Sequence, residues 1–271
     1  MAKQSQVQSR QKKILQYLEQ VEQASLPELR QLLGCSETTV RNDLRTLEQH
    51  GMLRRTFGGA IRVEETTPLW LNISMREKAH VAEKREIAAY VADHLLRPNM
   101  TLVLDAGTTC AVLAQEIAKR RIRLTVLTNS LHAAIALAPA LDVVELYLLG
   151  GVYNPVSGSM YDEFQLEAFR HLRADAFFMG ADGVSADAGF TITGLSGFAE
   201  SLGKRTMIEV SAKTYVLLDH SKFGRNAMKL VCGIQDVDGI VTDSALPEDL
   251  REQFHAKNVA VFSPEGMQDS L

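Results

Sequence analysis

Five short segments of the chain share one chemical character. Asp105-Ala106-Gly107-Thr108-Thr109, Thr128-Asn129-Ser130, Gly150-Gly151, Gly180-Ala181-Asp182-Gly183 and Asp219-His220-Ser221-Lys222-Phe223 each follow an apolar run. They are rich in glycine, small polar residues and charged groups. Glycine permits a tight turn and a close approach of backbone to ligand. Threonine hydroxyls and the free N–H groups of a helix N-terminus suit a phosphate. Thr108, Thr109, Asn129 and Ser130 offer neutral donors, and Gly107, Thr128 and Gly151 belong to the same loops. Lys222 offers a cation, and Asp105, Asp182 and Asp219 offer acceptors for hydroxyls. The set fits a phosphate carrying several hydroxyls, that is, a phosphorylated sugar or polyol. Asp219 has a second reading as a simple partner of Lys222. His220 reads as a structural or orienting residue. Cys110 reads as packing, because no base stands at a usable spacing. No complete catalytic set and no metal-ligand spacing is visible, so neither a catalytic residue, a metal nor another cofactor is expected.

A second donor-rich set lies near the N-terminus. Ser36, Thr38, Thr39, Arg41, Asn42 and Arg45 fall within one helical stretch whose apolar positions are Val40, Leu44 and Leu47. Arg41 and Arg45 are four apart and share a face. A helix can read the DNA major groove only with a polar, donor-rich outer face. Arginine suits guanine edges, asparagine suits adenine edges, and threonine reaches bases or phosphates. Arg54 and Arg55 follow in a basic hairpin that can grip the flanking phosphates. Which residues read bases and which touch phosphate stays open.

The elements that position the first DNA-facing set follow from periodicity. Residues 10–22 place Ile14, Leu15, Leu18 and Val21 at helical spacing. Ser25-Leu26-Pro27-Glu28 fits a capping box for a second helix with Leu29, Leu32 and Leu33 on its apolar face and Gly34 just past its end. A third helix starts at Ser36 and ends at Gly51, and residues 53–62 read as two short strands about a Gly58-Gly59 turn. Helix, turn, helix and basic hairpin make a winged helix-turn-helix over residues 1–62.

Residues 63–74, with Thr66-Thr67-Pro68 and the single tryptophan Trp70, lack periodicity and read as a linker to a domain at 75–271. There a helix is expected over 75–96. Beyond it, apolar runs at 101–104, 124–127, 143–149, 176–179, 215–218, 240–241 and 259–262 alternate with helical patterns near 110–119, 131–138, 163–171, 197–211 and 248–256. Continuous apolar strands alternating with helices indicate an α/β fold with a doubly wound, mostly parallel sheet. Ligands of such sheets bind at the carboxyl ends of the strands, where all five loops fall.

Charge divides the same way. The chain of 271 residues carries a net charge of -4, yet residues 1–62 hold ten Lys/Arg against six Asp/Glu. A basic head on an acidic body fits a phosphate-binding module joined to a domain that does not bind DNA. Three well-separated cysteines exclude a disulfide scaffold. The polar, basic N-terminal stretch has no signal-peptide core, and no run of about 18 apolar residues occurs. A cytoplasmic protein with no membrane partner is expected.

Residues 10–62 resemble the N-terminal signature of the DeoR family of bacterial transcriptional regulators. The resemblance rests on Leu26-Pro27-Glu28-Leu29, on Cys35 through Leu44, on Leu47-Glu48 with Gly51, and on the wing Gly58-Gly59-Ala60. Asn42 stands where many members carry arginine. The sensor blocks resemble that family as well: the five loops above, Glu200 with Lys204-Arg205, and Gly224-Arg225. The resemblance spans about residues 10–262. It implies a sensor similar in fold to ribose-5-phosphate isomerase, and adds Glu200 and Lys204 to the effector-binding residues. Gly183 stands where the isomerase acidic loop would hold its second acid. The resemblance implies a repressor of a carbohydrate catabolic operon, bound to double-stranded operator DNA as a dimer or tetramer. The alternative is a sugar-phosphate isomerase-like enzyme with an accessory DNA-binding head.

Overall fold

The computed structural model describes residues 10–11, 13–18, 21, 23–49, 53–56, 58–62, 73–154, 157–162, 167, 169–193 and 197–264. The chain divides into two compact units, Met1–Met75 and Arg76–Leu271.

In the first unit, the described part of residues 10–18 is helical. It is followed by β1 (Gln23–Ser25), α1 (Leu26–Leu33), α2 (Glu37–Gln49), β2 (Leu53–Thr56) and β3 (Gly59–Arg62). The strands form an antiparallel sheet in the order β1-β3-β2. Ser25 accepts the Glu28 N–H at 3.4 Å while the Glu28 carboxylate accepts the Ser25 N–H at 2.7 Å, the reciprocal bonds of a capping box. Gly34 ends α1 at φ 61, a conformation that costs glycine nothing. Ile14, Leu18, Leu29, Val40, Leu44, Leu47 and Leu53 close one core. Val21 and Leu32, expected on buried faces, are 42% and 40% exposed. The helical period identified the faces but not their edges.

The wing departs from the sequence reading at Gly59. Thr56 pairs with Gly59, so Gly59 belongs to β3 and Gly58 lies in the turn. The glycine at 59 answers a different need. A Cβ there would stand 2.0 Å from the Ala24 carbonyl oxygen of β1. Strand β1, three residues long, was not legible as a strand, and it is the neighbour that demands the glycine.

The expected linker 63–74 falls outside the described residues up to 72, Trp70 included. The helix expected over 75–96 is two helices, α3 (Ile73–Lys78) and α4 (Val81–His94), separated by His80 at φ 49. Lys84 stabilises this corner: its ammonium donates to the carbonyls of Arg76 and Ala79, the latter at 2.6 Å.

The second unit is built on β4 (Thr101–Leu104), β5 (Leu124–Thr128), β6 (Val144–Leu148), β9 (Ala176–Met179), β12 (Thr214–Leu217), β14 (Gly239–Val241) and β15 (Val261–Phe262). The small strands β7 (Val152–Asn154), β8 (Ser159–Tyr161), β10 (Gly183–Ser185), β11 (Gly189–Ile192) and β13 (Lys229–Cys232) complete the set. The seven-stranded sheet runs β15-β14-β12-β9-β4-β5-β6, every pair parallel. Its helices are α5 (Thr108–Arg120), α6 (Leu131–Leu137), α7 (Gly197–Val210) and α8 (Glu248–His255). Strand residues alternate between faces. Leu102, Leu104, Val126 and Phe178 meet Ile87, Leu113 and Ala133 of α4, α5 and α6. Val103, Leu127, Phe177 and Met179 meet Met207 of α7 and Phe254 of α8 on the other side. The five small strands pair antiparallel and were not anticipated; each has only three or four residues.

The chain lays down β4, β5 and β6 outward, then returns to place β9 on the opposite flank of β4. The gap beyond the carboxyl ends of β4 and β9 is therefore the topological switch point, where open α/β sheets hold ligands.

Gly59→Ala drives a methyl group into the Ala24 carbonyl. The variant should lose about 1–3 kcal/mol of stability, read as a lower urea midpoint with the slope unchanged.

Candidate functional site

Asp105 follows β4 and Gly180 follows β9, so the sheet sets them side by side. Asp105 accepts the Gly180 N–H at 3.0 Å and also pairs with the ammonium of Lys204, which reaches in from α7. Lys204 donates to the Gly180 carbonyl at 3.2 Å and lies 3.9 Å from Glu200 Oε1. All three charged side chains are buried. Burial disfavours the Lys204 ammonium, but Asp105 and Glu200 outweigh it and hold the lysine above its usual value. Gly107 caps α5 without a side chain, leaving the first N–H groups at Thr108 and Thr109 to face the same strand ends. Cys110, next along, is wholly buried with its thiol on the Phe178 carbonyl, and burial pushes it far above the thiol range. It packs, as expected.

One strand further, Thr128 donates to the Leu104 carbonyl at 2.7 Å and accepts the Ser130 N–H at 3.1 Å, and Ser130 caps α6. These two hydroxyls set the loop's shape. Asn129, between them, is buried, and its carboxamide lies beside the Tyr161 hydroxyl without a well-formed hydrogen bond among the described residues. The β7–β8 hairpin folds over this loop: Met160 N–H donates to the Asn129 carbonyl at 2.9 Å, and Ser130 pairs with Ser159. Gly151 opens the hairpin at φ 127, against the Tyr161 carbonyl, which accounts for the glycine by itself.

On the other flank, Asp182 accepts the Thr193 N–H at 2.8 Å, and its second oxygen lies 3.6 Å from Arg76 of α3. Beyond β12, Asp219 caps the turn His220–Lys222 through the Ser221 N–H and hydroxyl; it makes no ion pair with Lys222 among the described residues. Lys222 is half-buried. His220 is held by buried Asp243, with Nδ1 and Oδ1 2.9 Å apart. Arg76, Lys84, Tyr161 and Asp243 were not singled out from sequence. Thr242-Asp243 follows β14 as the other loops follow their strands, so the same rule extended by one strand finds it.

In the head, Thr38, Arg41, Asn42 and Arg45 all stand exposed on α2 above buried Val40, Leu44 and Leu47. Ser36 caps that helix and bonds the Thr39 hydroxyl at 2.8 Å, so both help to set its start. Arg41 is held by Glu37 at 2.7 Å, and Arg55 of the wing is tied to Glu48 at 2.6 Å. Arg10 pairs with buried Asp43 behind the helix. The side chain of Arg54 lies outside the described residues.

A profile of the "DeoR-like helix-turn-helix domain" matches residues 10–66, and one of the "DeoR C terminal sensor domain" matches residues 79–244. The chain belongs to the DeoR family. It is similar to "Transcriptional repressor AccR" of Agrobacterium fabrum, 33% identical over 93% of this chain and 98% of that one. It is also similar to the "Glycerol-3-phosphate regulon repressor" of Escherichia coli, 32% identical over 86% and 90%. Among solved structures, ribose 5-phosphate isomerase A of Methanocaldococcus jannaschii matches 52% of this chain and 53% of its own, with 20% identity and a TM-score of 0.37.

This DeoR-family protein is a DNA-binding transcriptional regulator and not an enzyme, which sets aside the isomerase alternative. A Cβ on Gly183 would lie 2.4 Å from the Arg225 carbonyl oxygen, so the close approach of that backbone accounts for the glycine. Among the described residues, no group of His, Cys, Asp and Glu could hold a metal ion, and no helix is long and apolar enough to cross a membrane.

Burial lowers Lys84 to about 8, against the opposing pull of Asp219. Its folded value is thus below the unfolded one, and between about pH 8 and 10.5 the unfolded chain binds more protons. Stability contributed by this group therefore rises with pH across that window. Urea titrations of wild type and Lys84→Met at several pH values should show a steeper rise in the wild type; parallel curves would refute the assignment.

Proposed function

We propose that this regulator represses a carbohydrate catabolic operon and is released from its operator by a phosphorylated sugar or polyol. Residues 1–62 form the DNA-binding head, 63–74 the linker and 75–271 the sensor. The protein acts in the cytoplasm as a homo-oligomer, a dimer or tetramer, on repeated half-sites. The observation that carries the reading is the exposed face Thr38, Arg41, Asn42 and Arg45 on a capped helix whose opposite side is fully packed. The names of its relatives, including "Putative aga operon transcriptional repressor", support the sugar-related role. Arg41 and Arg45 face the groove, Ser36 and Thr39 set the helix start against the backbone, and Arg54 and Arg55 serve the wing.

In the sensor, the phosphate lies over the N-terminus of α5 at Gly107, Thr108 and Thr109, with Lys222 as its cation. Thr128, Asn129, Ser130 and Gly151 form one wall; Asp105, Asp182, Glu200 and Lys204 form the other. An effector releases DNA only by binding the DNA-free conformation more tightly than the DNA-bound one.

Arg45→Ala should weaken operator binding by about 1–3 kcal/mol and relax preference at one base pair if it reads guanine, or weaken all sequences alike if it holds phosphate. Fluorescence anisotropy with a panel of single-base operator variants separates the two, and unchanged binding removes α2 as the reading helix.

Lys222→Ala should lose a charge-assisted bond of about 1.5–3 kcal/mol. In a gel shift it should hold operator at sugar-phosphate concentrations that free the wild type. Release at the wild-type concentration would place the phosphate elsewhere.

A further inference from the structure

Three side chains between the end of β4 and the β7–β8 hairpin carry polar atoms that the fold buries without pairing. They are Asp105 Oδ1, both carboxamide atoms of Asn129, and the Tyr161 hydroxyl; the last two lie beside each other, with Ser159 near the hydroxyl, but no well-formed hydrogen bond satisfies any of these atoms among the described residues. Asp105 and Asn129 are each 1% exposed. The Tyr161 hydroxyl lies beside Asn129 and Ser159 and within the fields of Glu200 and Asp105; burial first, then those carboxylates, raise its phenol well above the ordinary value. Burying one such atom unpaired costs about 1–3 kcal/mol, and native folds contain few of them. Four in one neighbourhood at the switch point mark a place built for polar groups that the chain does not itself supply.

The remaining partners of these residues are already fixed. Asp105 Oδ2 is taken by Lys204 and Gly180. The Asn129 carbonyl is taken by Met160. Gly203 of α7 makes room for the ring: a Cβ there would stand 2.3 Å from Tyr161 Cε1. The tyrosine is therefore seated, and only its hydroxyl is left to be used.

We propose that Tyr161, Asn129 and Asp105 Oδ1 together recognise the hydroxyl end of the effector. This rests on the effector site proposed above and narrows its ligand. An ionised carboxylate only accepts, so the group at Asp105 Oδ1 must donate. A carboxamide both donates and accepts, and a second hydroxyl meets both needs. The ligand is thus a phosphorylated polyol or sugar with at least two neighbouring hydroxyls, and Tyr161 is a specificity-determining residue carried on the hairpin.

The test compares wild type, Tyr161→Phe and Lys222→Ala as full chains by isothermal titration with inorganic phosphate, glycerol 3-phosphate and ribose 5-phosphate. Phenylalanine keeps the ring against Gly203 and removes only the hydroxyl. The wild type should bind at least one hydroxyl-bearing phosphate more tightly than inorganic phosphate, and Tyr161→Phe should weaken that ligand by roughly 10-fold while binding inorganic phosphate as before. Equal affinity of wild type and Tyr161→Phe for the preferred sugar phosphate would overturn the proposal, as would a wild type that prefers neither organic phosphate to inorganic phosphate. A Tyr161→Phe that loses inorganic phosphate equally would overturn it too, since the hydroxyl would then be serving the fold. Lys222→Ala separates the two readings: if it binds all three probes like wild type while Tyr161→Phe loses the sugar phosphate, the phosphate end is misplaced and the hydroxyl end stands.

Discussion

Lys204 and Asp105 each leave water almost completely, and removing either charge alone would cost several kcal/mol. Only together can they be buried, and only one backbone arrangement brings them together. Asp105 must follow β4 directly, Gly180 must follow β9 on its flank, and α7 must cross behind to deliver the ammonium. A buried pair of this kind is a poor way to stabilise a fold, because a well-packed apolar pair of similar volume does as well or better. What it supplies is a fixed polar anchor at the switch point. The Asp105 carboxylate is held on one oxygen, by the Gly180 N–H and Lys204, and left buried on the other.

The rest of the sensor serves to hold that anchor still. The sheet buries both faces, with adjacent strand residues such as Leu102 and Val103 committed to opposite cores, so β4 cannot slip by one residue without exposing both. The hydroxyls of Thr128 and Ser130 are used up in shaping their own loop, as is Asp219 in its turn. Polar strand ends thus divide into groups that build the loops and groups that the loops do not use. In the head the same division holds. Ser36 and Thr39 cap α2, while Thr38, Asn42 and Arg45 remain outward.

The seven parallel strands and the head's helices were legible because each carries its own periodicity or an unbroken apolar run. The strand-end rule then put Asp105, Asn129, Asp182 and Lys222 in the loops that follow β4, β5, β9 and β12 from local sequence alone. What stayed hidden depends on distant partners. Lys204 was found only through family resemblance, because nothing in its helix says that it will meet a carboxylate 99 residues away. Strand β1 and the antiparallel pieces β7, β8, β10, β11 and β13 are too short to show alternation. His80 broke a helix whose apolar spacing runs on through it. Lys84 caps the Arg76 and Ala79 carbonyls on the far side of that left-handed corner.

The seating of Tyr161 against Gly203 carries a consequence for how this family's sequences can diverge. A side chain at 203 and an aromatic ring at 161 claim the same volume. Alanine at 203 would force the ring at 161 to shift or be replaced by a smaller side chain. The two positions, 42 apart in the chain, therefore constrain each other.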